Sequence, residues 1–158
     1  DLGRRRREPP PLSVVIVLPN FTLLPADARA ALPPTVSRAD AIFNASRLGL
    51  LLHALTGDHP DCLRVAMGDR LHQPYRLTLI PGAAAAYDAA YAAGALGVAL
   101  SGAGPSLLAF SSEPGATIGR AMSDAFAAAG LDSRTWLLRP SAVGARLLAD
   151  TATINAAD

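Results

Sequence analysis

The chain has 158 residues, 51% of them hydrophobic and 17% charged, the balance of one compact domain with its own core rather than of a disordered or collagen-like chain. Fourteen basic residues stand against 13 acidic ones, and the formal net charge of +1 argues against a polyanionic partner for the domain as a whole. All the basic residues are arginine, so a Schiff base, a lysine general base and a phosphate-loop lysine are excluded within this chain.

Residues 1–11, DLGRRRREPPP, join a charge run to three prolines and read as an extended linker or the remnant of a preceding domain. Arg4 to Arg7 are expected to be solvated linker residues rather than a nucleic-acid contact. The longest apolar runs, 14–18 and 83–87, are far short of the roughly 20 residues of a membrane span, and no signal peptide follows the arginines. A cytoplasmic protein with neither nucleic-acid nor membrane partners is expected.

Residues 13–18, Ser-Val-Val-Ile-Val-Leu, predict a central strand buried on both faces and ended by Pro19-Asn20. A short helix is expected over 25–32, stopped by Pro33-Pro34. The clearest helix is 37–56, with Ser37 as N-cap, Asp40 in the first turn and Gly57 beyond the end. Its expected buried stripe is Ala41, Ala45, Leu48, Leu52 and Leu55, flanked by Ile42 and Leu51. A second short helix follows over 60–67, and 68–81 reads as a polar structured loop. An alanine-rich helix runs from Pro81-Gly82 to Ala93. Two strands, 98–101 and 106–111, are joined by Gly102-Ala103-Gly104-Pro105. A helix over 116–129, a strand over 135–139, an edge extension at 143–148 and a frayed tail at 151–158 complete the domain, which spans 12–150. The fold class is therefore α+β: a ferredoxin-like, split βαβ antiparallel sheet with helices on one face and extra helices inserted after the first strand.

One cysteine, Cys62, leaves neither an internal disulfide nor a cysteine zinc cluster, and the spacing of His53, His59 and His72 fits no metal motif. Ser101-Gly-Ala-Gly-Pro-Ser106 is the sharpest local feature. Taken alone it is either a tight hairpin or a cradle of backbone amides facing an anion. Asp69, Arg70, His72, Tyr75 and Arg76 share one loop, where Arg76 could grip a carboxylate or phosphate with its fork; surface ion pairs are the plainer alternative. Arg29 poses the same question on the first helix. Asp40, Asn44 and Arg47 fall on one helical stripe, because seven residues turn about 700°. That stripe is either an internal polar network or part of a cleft wall.

In this order the pieces resemble the homoserine kinase branch of the GHMP kinase superfamily. The resemblance rests on Ala28-Arg29-Ala-Ala-Leu32-Pro33, Asp40-Ala-Ile-Phe-Asn44-Ala-Ser-Arg47, Asp69-Arg70-Leu-His72-Gln-Pro74-Tyr-Arg76 with Leu79-Ile-Pro81-Gly82, Ser101-Gly-Ala-Gly-Pro105, and the closing Gly144-Ala-Arg. It implies transfer of the γ-phosphoryl group of ATP to the side-chain hydroxyl of L-homoserine, a step of threonine biosynthesis. By matching position, Arg29 and Arg76 would hold the homoserine carboxylate and its neighbouring polar atoms. Ser101, Gly102, Ala103 and Gly104 would brace the nucleotide phosphate loop from below. Asp40, Asn44, Arg47, Asp69 and His72 would form the cleft or a structural network, and no metal ligand is expected. The superfamily's Pro-x-x-x-Gly-Leu-Gly-Ser-Ser-Ala loop is nowhere in these residues. ATP and Mg2+ are therefore expected on an N-terminal GHMP kinase domain, which makes this chain the C-terminal, substrate-side half and inert by itself. Pro25 departs from the threonine that often precedes the Ala-Arg pair. A homodimer is a further possible partner, and two other readings stay open: a non-catalytic ferredoxin-like binding or dimerisation module, and another GHMP small-molecule kinase.

Overall fold

The computed structural model describes residues 11–57, 59–141 and 143. Residues 1–10 of the expected linker at 1–11, residues 144–148 of the expected edge extension, the tail and the closing Gly144-Ala-Arg lie outside them. In chain order the elements are strand β1 (Ser13–Pro19), helices α1 (Pro25–Ala30) and α2 (Arg38–Thr56), a 3-10 turn (Pro60–Cys62), helices α3 (Leu63–Ala66), α4 (Gln73–Leu77) and α5 (Ala83–Ala92), strands β2 (Gly97–Leu100) and β3 (Leu107–Ser111), helix α6 (Ala116–Ala128) and strand β4 (Ser133–Leu138). The four strands form one antiparallel sheet in the order β2-β3-β1-β4. This is the split βαβ arrangement, with α1 to α4 inserted between β1 and α5.

Strand alternation sends Val15 and Val17 of β1, Val98 and Leu100 of β2, and Leu107 and Ala109 of β3 to one face. There they pack with Ala83, Ala86 and Ala90 of α5 and Ile118, Met122 and Phe126 of α6 to make the main core. β1 is central in the sheet, but only this face of it is buried. Val14, Ile16 and Leu18 on the other face are half-buried, so the expectation of burial on both faces does not hold. A smaller cluster of Leu12, Ala54 and Leu63, with Leu51, Leu55, Leu96 and Phe110 against it, packs α2 and α3 onto that other face at one end.

α2 begins as expected, with Ser37 Oγ accepting from the Asp40 amide at 3.0 Å, and ends at Gly57. Leu51 and Leu55 pack inward as expected, but the rest of the expected stripe does not. Ile42, Leu48 and Leu52 are 61%, 60% and 56% exposed, and Ala41 and Ala45 are exposed beside them. The face turned inward carries Phe43, Asn44, Arg47, Leu51 and Ala54. The polar side chains of that face have bonds to make with the loop at 67–73, and those bonds fix which side of the helix points in.

Glycines set the approach of α6 to the sheet. A Cβ on Gly115 would collide with the fully buried side chain of Val15, and one on Gly119 would lie 2.7 Å from Thr135 Cγ2. Gly115→Ala is expected to lower stability by about 1–3 kcal/mol through overpacking. A thermal melt checks it, and a melting temperature within 1 °C of the parent would mean the helix backs off without cost.

Candidate functional site

The strand register brings three distant segments to one end of the sheet. Val17 pairs with Leu107, Leu100 with Leu107 and Pro19 with Ser133, so the exit of β1, the β2–β3 turn and the entry of β4 lie together. β1 leads from this end through Phe21 and Leu23 into α1, which carries Arg29. The turn's conformation depends on glycine: Gly102 and Gly104 have φ of +64° and +89°. The Ser101 amide donates to the Ser106 carbonyl at 2.8 Å and the Gly104 amide to the Ser101 carbonyl at 3.2 Å. The Gly102 and Ala103 amides have no partner among the described residues, and Ser101, Gly102 and Ala103 are exposed. A Cβ on Gly104 would lie 2.9 Å from Ile80 and 3.7 Å from Leu23, so the turn packs on the residues that flank α4 and α1.

The segment expected as loop at 68–81 contains α4, and the cause is Asp69. Its carboxylate accepts from the amides of Leu71 at 2.8 Å and His72 at 3.1 Å, which lead into the helix, and of Gln73 at 2.5 Å, the first helical residue, whose N–H has no partner within the helix. It also accepts from Asn44 Nδ2 at 2.5 Å and pairs with His72 Nδ1 at 2.9 Å. Burial of the carboxylate raises its pKa; the donors at Gln73, Asn44, Leu71 and His72 outweigh this and hold it below the usual value. Asn44 completes the junction by accepting from the Arg70 amide at 3.0 Å.

Arg76 lies at the end of α4, half-buried, with Nε donating to the Ala28 carbonyl of α1 at 3.3 Å. The residue after Ala28 is Arg29, which is exposed. The two helices that carry the arginines are thus held against each other by Arg76 itself. The terminal nitrogens of its fork have no partner among the described residues. The other candidates stand in α2 and the loop before α4. Asp40 makes a long 3.5 Å pair with Arg70, and Arg47 and Arg70 each place a guanidinium about 4 Å from the centroid of the Phe43 ring. Arg47 Nε is buried without a hydrogen bond among the described residues. Asp40, Asn44, Asp69, Arg70 and His72 form one connected group, whereas Arg47 touches it only through Phe43.

Gln73 was not singled out from the sequence. It is 8% exposed, its Oε1 accepts from the Leu100 amide at 2.9 Å, and its Nε2 donates to the Met67 carbonyl at 3.3 Å. The available signal was Pro74, a residue favoured in the first turn of a helix, standing shortly after a capping aspartate. Among the described residues, no three His, Cys, Asp or Glu side chains are gathered in a way that could hold a metal ion.

The model of the family described as GHMP kinases C terminal matches residues 40–128. The homoserine kinase of Persephonella marina is 44% identical over 139 residues, which cover 88% of this chain and 46% of that protein. That of Trichormus variabilis is 50% identical over 118 residues, 74% of this chain and 39% of the relative. A crystal structure of homoserine kinase from Cytophaga hutchinsonii superposes with a TM-score of 0.78 at 32% identity, over 82% of this chain and 42% of that one. The chain spans less than half the length of these relatives.

Proposed function

The chain belongs to the C-terminal domain family of the GHMP kinases, and from that premise we propose that it is the acceptor-side half of a homoserine kinase. In the intact enzyme the γ-phosphoryl group of ATP passes to the side-chain hydroxyl of L-homoserine. Arg76, with Arg29 beside it, holds the amino-acid carboxylate. The observation that carries this reading is the Arg76 to Ala28 hydrogen bond, which commits Nε to the protein and leaves a planar pair of terminal nitrogens for a carboxylate.

The amides of Gly102 and Ala103 and the Ser101 hydroxyl, at the same end of the sheet, support the phosphate-binding loop of the preceding domain. ATP, when bound, supplies the phosphoryl group. Mg2+ and most of the nucleotide are assigned by this reading to the other half of the enzyme. The contribution of this half is positioning, which is what phosphoryl transfer chiefly requires of its protein. The uncovered apolar side of α2 supports the presence of a partner surface in the intact protein, namely the N-terminal GHMP kinase domain. The place of the reaction in threonine biosynthesis, and in the cytoplasm, follows from the same reading.

The binding-module alternative is not favoured. The matched relatives carry the name homoserine kinase at 44% and 50% identity, over 88% and 74% of this chain. The test is a coupled ATP and homoserine assay. This chain alone is expected to show no turnover, and the chain joined to its N-terminal half is expected to phosphorylate homoserine. Absence of turnover in the joined protein, with a well-formed fold, would sink the reading.

A further inference from the structure

We propose that Gln73 is a positioning residue that fixes the glycine turn relative to Arg76, and so sets the distance between the held acceptor and the phosphate side of the site; the inference rests on the reading above. β2 is an edge strand, and its outward amides must be satisfied from outside the sheet. Two side chains do this. Tyr91 Oη accepts from the Val98 amide at 3.1 Å, and Gln73 Oε1 accepts from the Leu100 amide at 2.9 Å.

The two bonds differ in what they join. Tyr91 is in the last turn of α5 and Val98 is in mid-strand, so that bond ties α5 to β2 within the core. Leu100 is the last residue of β2, directly before Ser101, and Gln73 stands three residues before Arg76 on a five-residue helix. Residues three apart on a helix share a side, so movement of Gln73 carries Arg76 with it. Among the described residues, Gln73 to Leu100 is the one side-chain hydrogen bond between α4 and β2. The same side chain holds Met67 through Nε2, and its amide is held by Asp69. Gln73 is therefore fixed at three atoms, more than burial of a glutamine requires.

Gln73→Met conserves volume and removes both side-chain bonds. In the joined, full-length kinase each half-site keeps its own groups, so the expected signature is a fall in kcat of about tenfold or more, with KM for homoserine and for ATP each within threefold of the parent; a misplacement of about 1 Å suffices for such a loss. Hydrogen exchange of segment 98–104 should quicken at the same time. Gln73→Glu, which keeps an acceptor for the Leu100 amide, should restore the exchange protection and part of kcat, and it carries the comparison should Gln73→Met not fold. Tyr91→Phe breaks the neighbouring edge bond without touching α4 and should lower the melting temperature while sparing kcat. The inference is overturned by a kcat within twofold of the parent, by a loss no larger than the unfolded fraction, or by a rise confined to one KM. If the parent kinase turns out to use another acceptor, the reading of function fails, while the exchange of segment 98–104 still decides whether Gln73 holds the turn.

Discussion

Arg76→Ala in the full-length kinase is expected to raise KM for homoserine by roughly 100-fold, the effect of losing one charge-assisted, two-bond contact to a carboxylate. KM for ATP should stay within about threefold. The asymmetry follows from the geometry, because α4 and the glycine turn meet the site from different elements and only α4 carries the fork. A mutation that removes binding felt equally in ground and transition states raises KM and leaves kcat little changed. Arg76→Lys separates charge from shape: it keeps the cation and loses both the planar pair and the Nε bond to Ala28, so an intermediate KM is expected. Steady-state kinetics with each substrate varied in turn measures all of this. A homoserine KM within threefold of the parent in Arg76→Ala would place the carboxylate elsewhere, with Arg29 the next residue to test.

The parts of this molecule that could be read from the sequence are those where local chemistry and tertiary packing agree. β1 is β-branched and closed by proline, α5 and α6 are bounded by glycine, and two left-handed glycines, Gly102 and Gly104, sit in the turn between β2 and β3. These signals place the strands in a split βαβ order with few alternatives. α2 fails for a definite reason. Apolar residues occur on nearly all its sides, so periodicity offers two faces of similar quality. The choice is made by Asn44, which reaches Asp69 and the Arg70 amide 25 and 26 residues away, long-range bonds that no periodicity reveals. α4 fails for another reason. Five residues are too few to show a helical period, and the helix starts where one aspartate accepts from the two amides leading into it and from that of its first residue.

The candidate site shows the same division. Arg29, Arg76 and the turn were legible as a set only through the resemblance to a family. Taken singly, an exposed arginine or a glycine pair says little. Register puts the end of β1 beside the turn, and two acceptors, Ala28 O and Gln73 Oε1, tie α4 to α1 and to the strand before the turn; the exposed Arg29 side chain makes no bond to either among the described residues. Gln73 itself was hidden because its role depends on an edge strand whose outer side could not be known before the sheet order.

Asp69 is where the largest loss of stability is expected. Its side chain is only 6% exposed and receives donors from Asn44, Leu71, His72 and Gln73, so it ties α2 to the start of α4. Asp69→Asn replaces one accepting oxygen by an NH2 group that faces backbone amides. Lost bonds to a charged acceptor and buried N–H groups left unpaired together cost about 3 kcal/mol. For a protein of this size that is a fall in melting temperature of roughly 6–12 °C. Asn44→Ala removes one of the donors and should cost about a third as much. The pH dependence has a definite sign. The folded carboxyl titrates below its unfolded value of about 3.8, so between the two values the unfolded chain binds the extra proton. The stabilisation is therefore complete above about pH 5 and is lost as pH falls through 4 and below, whereas Asp69→Asn should lack this part of the acid decline. Melting curves of both proteins from pH 7 to pH 3 measure it. Curves that stay parallel over that range, or a variant that melts within 2 °C of the parent at pH 7, would show that α4 is held in place without the carboxylate.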